Sequence, residues 1–194
     1  MVYKPKILAF AGSLRADSYN KKLIKIAIKG AEQAGAEVTH IDLLDYQLPI
    51  YNEDIETKEG LPQNALKLKK LMWDHDGFLI ASPEYNSSIS GVLKNTIDWA
   101  SRQATPEEVY LSCFIGKVAA LMSASPGGLG GLRGLVTVRS ILENINTIVL
   151  PEQKTIPQAA DAFASDGKLK DSKQHASVEK LGKSLAEMLK KLKG

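Results

Sequence analysis

The amino-acid sequence predicts a doubly wound α/β domain whose five parallel strands run in the order 2-1-3-4-5, with helices on both faces. Two observations lead there. Short apolar runs at 7–11, 38–41, 77–81, 118–122 and 147–150 each end in loop residues. Most are continuously apolar, the pattern of strands covered on both faces. Between them, apolar residues repeat at helical spacing: Leu23, Ala27, Ile28 and Ala31, then Leu61, Ala65, Leu68 and Met72, then Leu135, Val138, Leu142 and Ile145. Strands and helices alternating in this way, joined by right-handed crossovers, build one parallel sheet.

The remaining elements follow the same logic. A helix is expected from Gly91 to about Ser101. A last one places Val178, Leu181, Leu185, Met188, Leu189 and Leu192 on one face and docks on the sheet. No linker or repeat interrupts residues 1–194, which read as a single domain, and folding at this length buries about 70% of the unfolded surface. The stretches 43–60 and 103–112 exceed the usual connection length and are candidates for a lid, a substrate rim or a partner surface.

Composition narrows the function classes. At 44% hydrophobic and 24% charged, the chain is neither disordered, collagenous nor disulfide-stapled. Residues 166–194 hold eight Lys against four acids, while the rest balances 17 basic against 18 acidic residues. The basic balance therefore belongs to the tail, and no nucleic-acid groove with clustered Lys and Arg is expected across the fold. Cys113 is the only cysteine and cannot form an internal disulfide, which favours a reducing compartment and hence the cytoplasm. The run 7–11 is shorter than a signal-peptide core, and no run of about 18 apolar residues offers a membrane span.

In an open parallel sheet, ligands bind beyond the carboxyl ends of the strands, where strand order reverses. After the first strand come Gly12, Ser13, Leu14, Arg15, Ala16, Asp17, Ser18, Tyr19 and Asn20. Hydroxyls, an amide and a guanidinium just before a helix are anion-binding chemistry, because the helix start exposes unpaired N–H groups and Arg15 adds a bidentate fork. The other reading is that Ser18 or Asn20 caps the helix and Arg15 is a surface charge. With one glycine and no Gly-Lys-Ser/Thr, the loop is neither a dinucleotide turn nor an NTPase phosphate loop. The glycine-rich segment 125–134 follows the fourth strand, but Arg133 stands where the dinucleotide fingerprint demands glycine. Its glycines still let backbone approach a flat ligand. After the third strand, Ser82, Pro83, Glu84, Tyr85, Asn86, Ser87 and Ser88 combine a rigid proline, an aromatic and polar groups. An isoalloxazine ring needs that mixture, with Tyr85 bordering the ring and Asn86 and the backbone meeting its pyrimidine edge.

Three patterns carry a resemblance: Gly-Ser-Leu-Arg-x-x-Ser-x-Asn-x-x-Leu at 12–23, Ser-Pro-Glu-Tyr-Asn at 82–86 and Leu-Lys-Asn-x-Ile-Asp-Trp at 93–99. Together with Ser-x-Ser-Pro-Gly-Gly at 123–128 and the loop 48–54, the chain resembles the NAD(P)H-dependent FMN reductase family over roughly residues 5–150. The resemblance implies a flavodoxin-like fold, tightly held FMN, and homodimers or homotetramers that use NADPH or NADH to reduce quinones, free flavin, azo dyes or chromate. It implies that Ser13, Arg15, Ser18 and Asn20 hold the FMN phosphate, that Pro83, Glu84, Tyr85 and Asn86 hold the isoalloxazine, and that Ser125 and Gly127 border it. Many members carry Pro before Gly where this chain has Ser90-Gly91, which bears on the rigidity of that turn.

The reading expects no catalytic triad or acid pair, since the flavin N5 carries the chemistry in a ping-pong hydride transfer. No metal site is expected: His75 lies between Asp74 and Asp76, which is not ligand spacing on a helix, and nothing ties Cys113 to His40, His75 or His175 as a nucleophile. Trp99 belongs to the core or an interface, and Lys94 and Asn95 support the loop. The loop 48–54 either folds back on its own surface or meets a second subunit. Glu84 orients Arg15 or Arg102, or forms an intersubunit ion pair. The main alternative function is a flavodoxin-type electron carrier without its own pyridine-nucleotide reaction. Its phosphate loop is usually Thr/Ser-rich and its body strongly acidic, whereas this chain has Arg15 and a near-neutral body. A regulatory flavin or nucleotide sensor is the second rival.

Overall fold

A computed structural model describes residues 3–193. β1 (Lys6–Ala11), β2 (Glu37–Ile41), β3 (Gly77–Ala81), β4 (Val118–Ala124) and β5 (Ile148–Ile156) pair in parallel in the order β2-β1-β3-β4-β5. The expected order is therefore the one found. β1, β3 and β4 are buried along nearly their whole length, which accounts for their unbroken apolar runs. β5 runs further than its apolar start implies. Its register against β4 shifts between Ala119 and Leu121, opposite the segment holding Pro151, which has no N–H to donate and suits an edge-strand irregularity.

The helices are α1 (Tyr19–Gln33), α2 (Glu53–Glu59), α3 (Gln63–Asp74), α4 (Gly91–Ala100), α5 (Leu132–Asn144), α6 (Ala159–Ala162) and α7 (Ser172–Lys193). They cover the sheet in two layers. One face packs Ile7, Ala9, Leu79 and Val118 against α1 and α7 through Leu23, Ala27, Leu181 and Leu185. The other packs Leu8, Phe10, Phe78 and Leu121 against α3, α4 and α5 through Leu68, Leu93, Ile97 and Leu135. α1 and α7 approach closely because each offers a glycine: a Cβ on Gly182 would stand 1.9 Å from the Ala27 carbonyl oxygen, and one on Gly30 as near to that of Glu179.

The stretch 43–60 is more ordered than its sequence reads. It holds a 3-10 turn (Leu43–Tyr46) and α2. α2 buries none of its residues, so no apolar stripe announces it, and Asn52 starts it by accepting from the Asp54 N–H at 2.9 Å.

At the amino end of the sheet Asp76 joins both chain ends. It accepts from the Tyr3 hydroxyl (2.7 Å), the Lys6 N–H (2.9 Å) and Lys193 of α7 (2.5 Å). Burial works against its ionisation, but these donors outweigh it and hold the carboxyl below the usual carboxylate range. The ionised form is thus favoured in the folded state, so its stabilisation is complete above the unfolded value near pH 4 and is lost as pH falls through the lowered folded value. Asp76→Asn is expected to cost about 1–3 kcal/mol at pH 7 in urea unfolding, with the difference from wild type shrinking as pH falls below about 4. A pH-independent difference would remove the charge from this account.

Candidate functional site

The phosphate-type loop, 12–18, leaves β1 level with the end of β3 and two residues short of the end of β4, since Ala11 pairs with Ala81 and Ala81 with Met122. It enters α1 at Ser18, which sits at the N-cap position but makes no side-chain capping bond. The first-turn N–H groups of Tyr19, Asn20 and Lys21 have no acceptor within the helix. Ser13 and Ser18 are each about 3% exposed, and Ser13 accepts only a long bond from the Arg15 N–H, at 3.4 Å. Arg15 is exposed and makes no salt bridge among the described residues. The acid of the loop is occupied elsewhere, because Asp17 pairs with Lys22 at 2.5 Å. Asn20 uses its amide on β4: Nδ2 donates to the Ala124 carbonyl (2.9 Å) and Oδ1 accepts from the Ala124 N–H (3.0 Å). One amide hydrogen and the backbone N–H of Asn20 remain for an anion, and the side chain also fixes the loop to the fourth strand.

The second loop turns within four residues. Tyr85 and Ser88 exchange backbone bonds at 2.9 and 3.0 Å around Asn86 (φ 51°) and Ser87 (φ 66°). Two successive left-handed residues aim their N–H groups out of the turn, and asparagine is among the few side chains suited to that conformation. Pro83 is buried beneath it, while Tyr85 is half exposed.

Within the chain, Glu84 pairs with neither Arg15 nor Arg102. Its carboxylate accepts from Arg133 Nε at 2.8 Å and from the N–H groups of Arg133 (3.1 Å) and Gly134 (3.3 Å). It therefore caps α5 from another loop, where the helix dipole favours a negative charge. Arg15 and Arg102 stand apart from it. Burial pushes the Glu84 carboxyl up, but the Arg133 and backbone donors outweigh burial and hold it below its ordinary range. Sequence reasoning noted Arg133 only as a break in a fingerprint, since a pair 49 residues apart leaves no local signal.

The third loop, 125–131, is pressed against its neighbours. A Cβ on Gly131 (φ 91°) would stand 1.9 Å from Ser123 Oγ, and one on Gly130 2.7 Å from the backbone of Ile156 and Pro157. Gly128, by contrast, has open space, and a Cβ on Gly127 would meet only Ser125 Oγ, at an ordinary 3.7 Å. Ser125 lies at the start of the loop, and its Oγ accepts from the Gly127 N–H at 3.3 Å. Beneath the loop, the buried hydroxyl of Ser123 has no hydrogen-bond partner among the described residues.

The loop 48–54 is fastened to its own chain through its backbone, while Ile50 at its tip stays 85% exposed. Asn95 accepts from the Tyr51 N–H (2.8 Å) and donates to the Pro49 carbonyl (2.9 Å), and Trp99 Nε1 donates to that same carbonyl at 2.8 Å. Trp99 is fully buried, and Tyr51 sits edge-on to it at 5.0 Å. Glu56 then ties Arg102 (2.9 Å) to the Tyr51 hydroxyl (2.8 Å). The motif residues Asn95 and Trp99 thus hold a rim. Lys94 pairs instead with Asp98 at 2.7 Å. Cys113 is buried, and burial pushes its thiol up, as expected of an inert cysteine.

Taken together, Ser13, Arg15 and Ser18, the start of α1, the 83–87 turn and the open glycines of the third loop line one edge of the sheet. Their chemistry fits FMN: a cluster of donors free of competing carboxylates suits a phosphate, and a rigid turn with outward N–H groups beside an open glycine edge suits a flat heteroaromatic ring.

Comparison with known proteins identifies the family. The model of the NADPH-dependent FMN reductase family matches residues 5–161. An NAD(P)H-dependent FMN reductase of Pseudomonas aeruginosa is 35% identical over 190 residues, covering 97% of each chain. A probable NADPH:quinone oxidoreductase of Oryza sativa subsp. japonica is 36% identical over 194 residues, covering 97% of this chain and 91% of its own. Among solved structures, a flavoenzyme NAD(P)H:(acceptor) oxidoreductase from Paracoccus denitrificans superposes with a TM-score of 0.79 at 31% identity, covering 96% of this chain and 98% of that one.

A charge-assisted contact is worth about 1.5–3 kcal/mol, so Arg15→Ala is expected to weaken FMN binding by roughly ten- to a hundred-fold in a flavin-fluorescence titration. Unchanged affinity would remove Arg15 from the phosphate site.

Proposed function

This chain belongs to the NADPH-dependent FMN reductase family, and on that premise we propose that it is an FMN-dependent oxidoreductase that uses NADPH or NADH to reduce quinones, free flavin or related acceptors such as azo dyes and chromate. The observation that carries the reading is the loop 12–18: buried hydroxyls, an uncapped helix start and an unpaired arginine meet with the only acid turned to Lys22. Ser13, Arg15 and Ser18, with the backbone and remaining amide hydrogen of Asn20, take the phosphate. Pro83, Glu84, Tyr85 and Asn86 support and edge the ring, Glu84 by holding its own loop to α5. Ser125 and Gly127 border the ring.

When bound, FMN supplies hydride chemistry at N5, accepting from the nicotinamide and donating to the acceptor. The chain's share is binding and orientation. Asn20, Glu84 and the glycines at 130 and 131 lock the loops to the sheet and to each other, so the donors are set before the ligand arrives. Tyr85 and Leu129 are half exposed, so neither is committed to the core and both are free to border nicotinamide and oxidant in turn. That openness supports a ping-pong order.

The same reading takes residues 1–194 as one domain, placed in the cytoplasm in keeping with a single buried cysteine. No described helix is long and apolar enough to cross a membrane. It also takes the working form as a homodimer or homotetramer. Support comes from a cavity of about 640 Å³ beside the loop that follows β1, lined from Leu14 to the start of α4. Leu14, Leu44, Leu48, Ile50 and Val92 line it, and Ile50 is 85% exposed, a costly position for isoleucine unless a second copy covers it.

An electron-carrier role is the rival, and the reductase names of the relatives disfavour it. Steady-state assays with NADPH and a quinone, varied together, are expected to give parallel double-reciprocal lines. Turnover no faster than the uncatalysed reaction would favour the carrier.

A further inference from the structure

Gly12, the first residue of the phosphate loop, is held from three sides. Its N–H donates to the Ala81 carbonyl at 2.9 Å. Its carbonyl accepts from the Ser90 hydroxyl at 2.6 Å. Its Cα lies against Leu93, so closely that an added Cβ would stand 3.0 Å from the leucine's own. Ser90 is 1% exposed and comes directly after the 85–88 turn. At the N-cap of α4 the same hydroxyl also accepts from the Leu93 N–H at 3.3 Å. Its single hydrogen goes to Gly12 and a lone pair to Leu93, so one side chain ties the first loop to the start of α4.

The Gly12 carbonyl and the Ser13 N–H belong to one planar peptide, and all peptides here are trans, so the two groups point in opposite directions. Fixing the carbonyl toward Ser90 therefore aims the Ser13 N–H away from α4, toward the face on which α1 begins. Among the described residues that N–H has no acceptor of its own. We propose that Ser90 is a positioning residue for cofactor binding: by holding the Gly12 carbonyl it presents the Ser13 N–H to the FMN phosphate and couples the phosphate loop to the ring loop. This rests on the FMN reading of the site.

The variants separate capping from coupling. Glycine replaces serine at an N-cap at a cost of only a few tenths of a kcal/mol, so Ser90→Gly removes the bond to Gly12 while largely sparing α4. Ser90→Ala removes the same two bonds but also penalises the helix start, and Ser90→Thr keeps the hydroxyl. Fluorescence titration of Ser90→Gly is expected to show FMN affinity about tenfold weaker. The ³¹P resonance of bound FMN should be displaced, with the visible absorption of the ring unchanged. Ser90→Thr should restore both. In the wild type, the Ser13 amide proton should move downfield on addition of FMN. Wild-type FMN affinity in Ser90→Gly, an unmoved ³¹P resonance, or no shift of the Ser13 amide on FMN binding would overturn the coupling alone. A wild-type chain that takes up no FMN would overturn the site reading itself.

Discussion

Everything at the site depends on the level register of β1, β3 and β4. Parallel strands lie about 4.8 Å apart, and here Ala11, Ala81 and Met122 form one row across the sheet. Three loops must therefore leave the same edge within reach of one ligand. Both faces of the sheet are packed by helices, so the loops can extend only outward from that edge. The start of α1 and its unpaired N–H groups are carried to the same place by the crossover.

What turns three adjacent loops into one preformed site is a small set of long-range polar bonds. Asn20 fastens the first loop to Ala124, Ser90 fastens it to the start of α4 just after the second, and Glu84 fastens the second to the start of α5. The Asn20 and Ser90 bonds are buried, whereas the Glu84 carboxylate meets an exposed Arg133. Buried polar groups are expensive to leave unmade, so the bonds resist independent movement of the loops. The rim built by Asn95, Trp99 and Tyr51 extends the same construction to the loop 48–54.

Much of this is legible in the sequence, and the boundary of legibility is physical. Strands β1, β3 and β4 announce themselves because burial on both faces demands unbroken apolar runs. The loop after β1 stands out as a candidate anion site because hydroxyls, an amide and an arginine gather before an amphipathic helix. Glu84 is different: nothing near it indicates that Arg133, 49 residues on, is its partner. α2 is silent because it buries nothing, and the extension of β5 is masked by Pro151. Ser90 stands out in the sequence only as a departure from Pro-Gly, and its bond to Gly12 across 78 residues exists only once the sheet has formed. Asn20 carries a structural bond that its motif does not disclose.

The most direct test of the central claim is a crystal structure of the chain grown with FMN. The account predicts phosphate density against the N–H groups at 19–21 and the Arg15 guanidinium, with the ring between the 83–87 turn and Gly127. Density for the phosphate at any other edge of the sheet, or no flavin in crystals grown at saturating FMN, would contradict it.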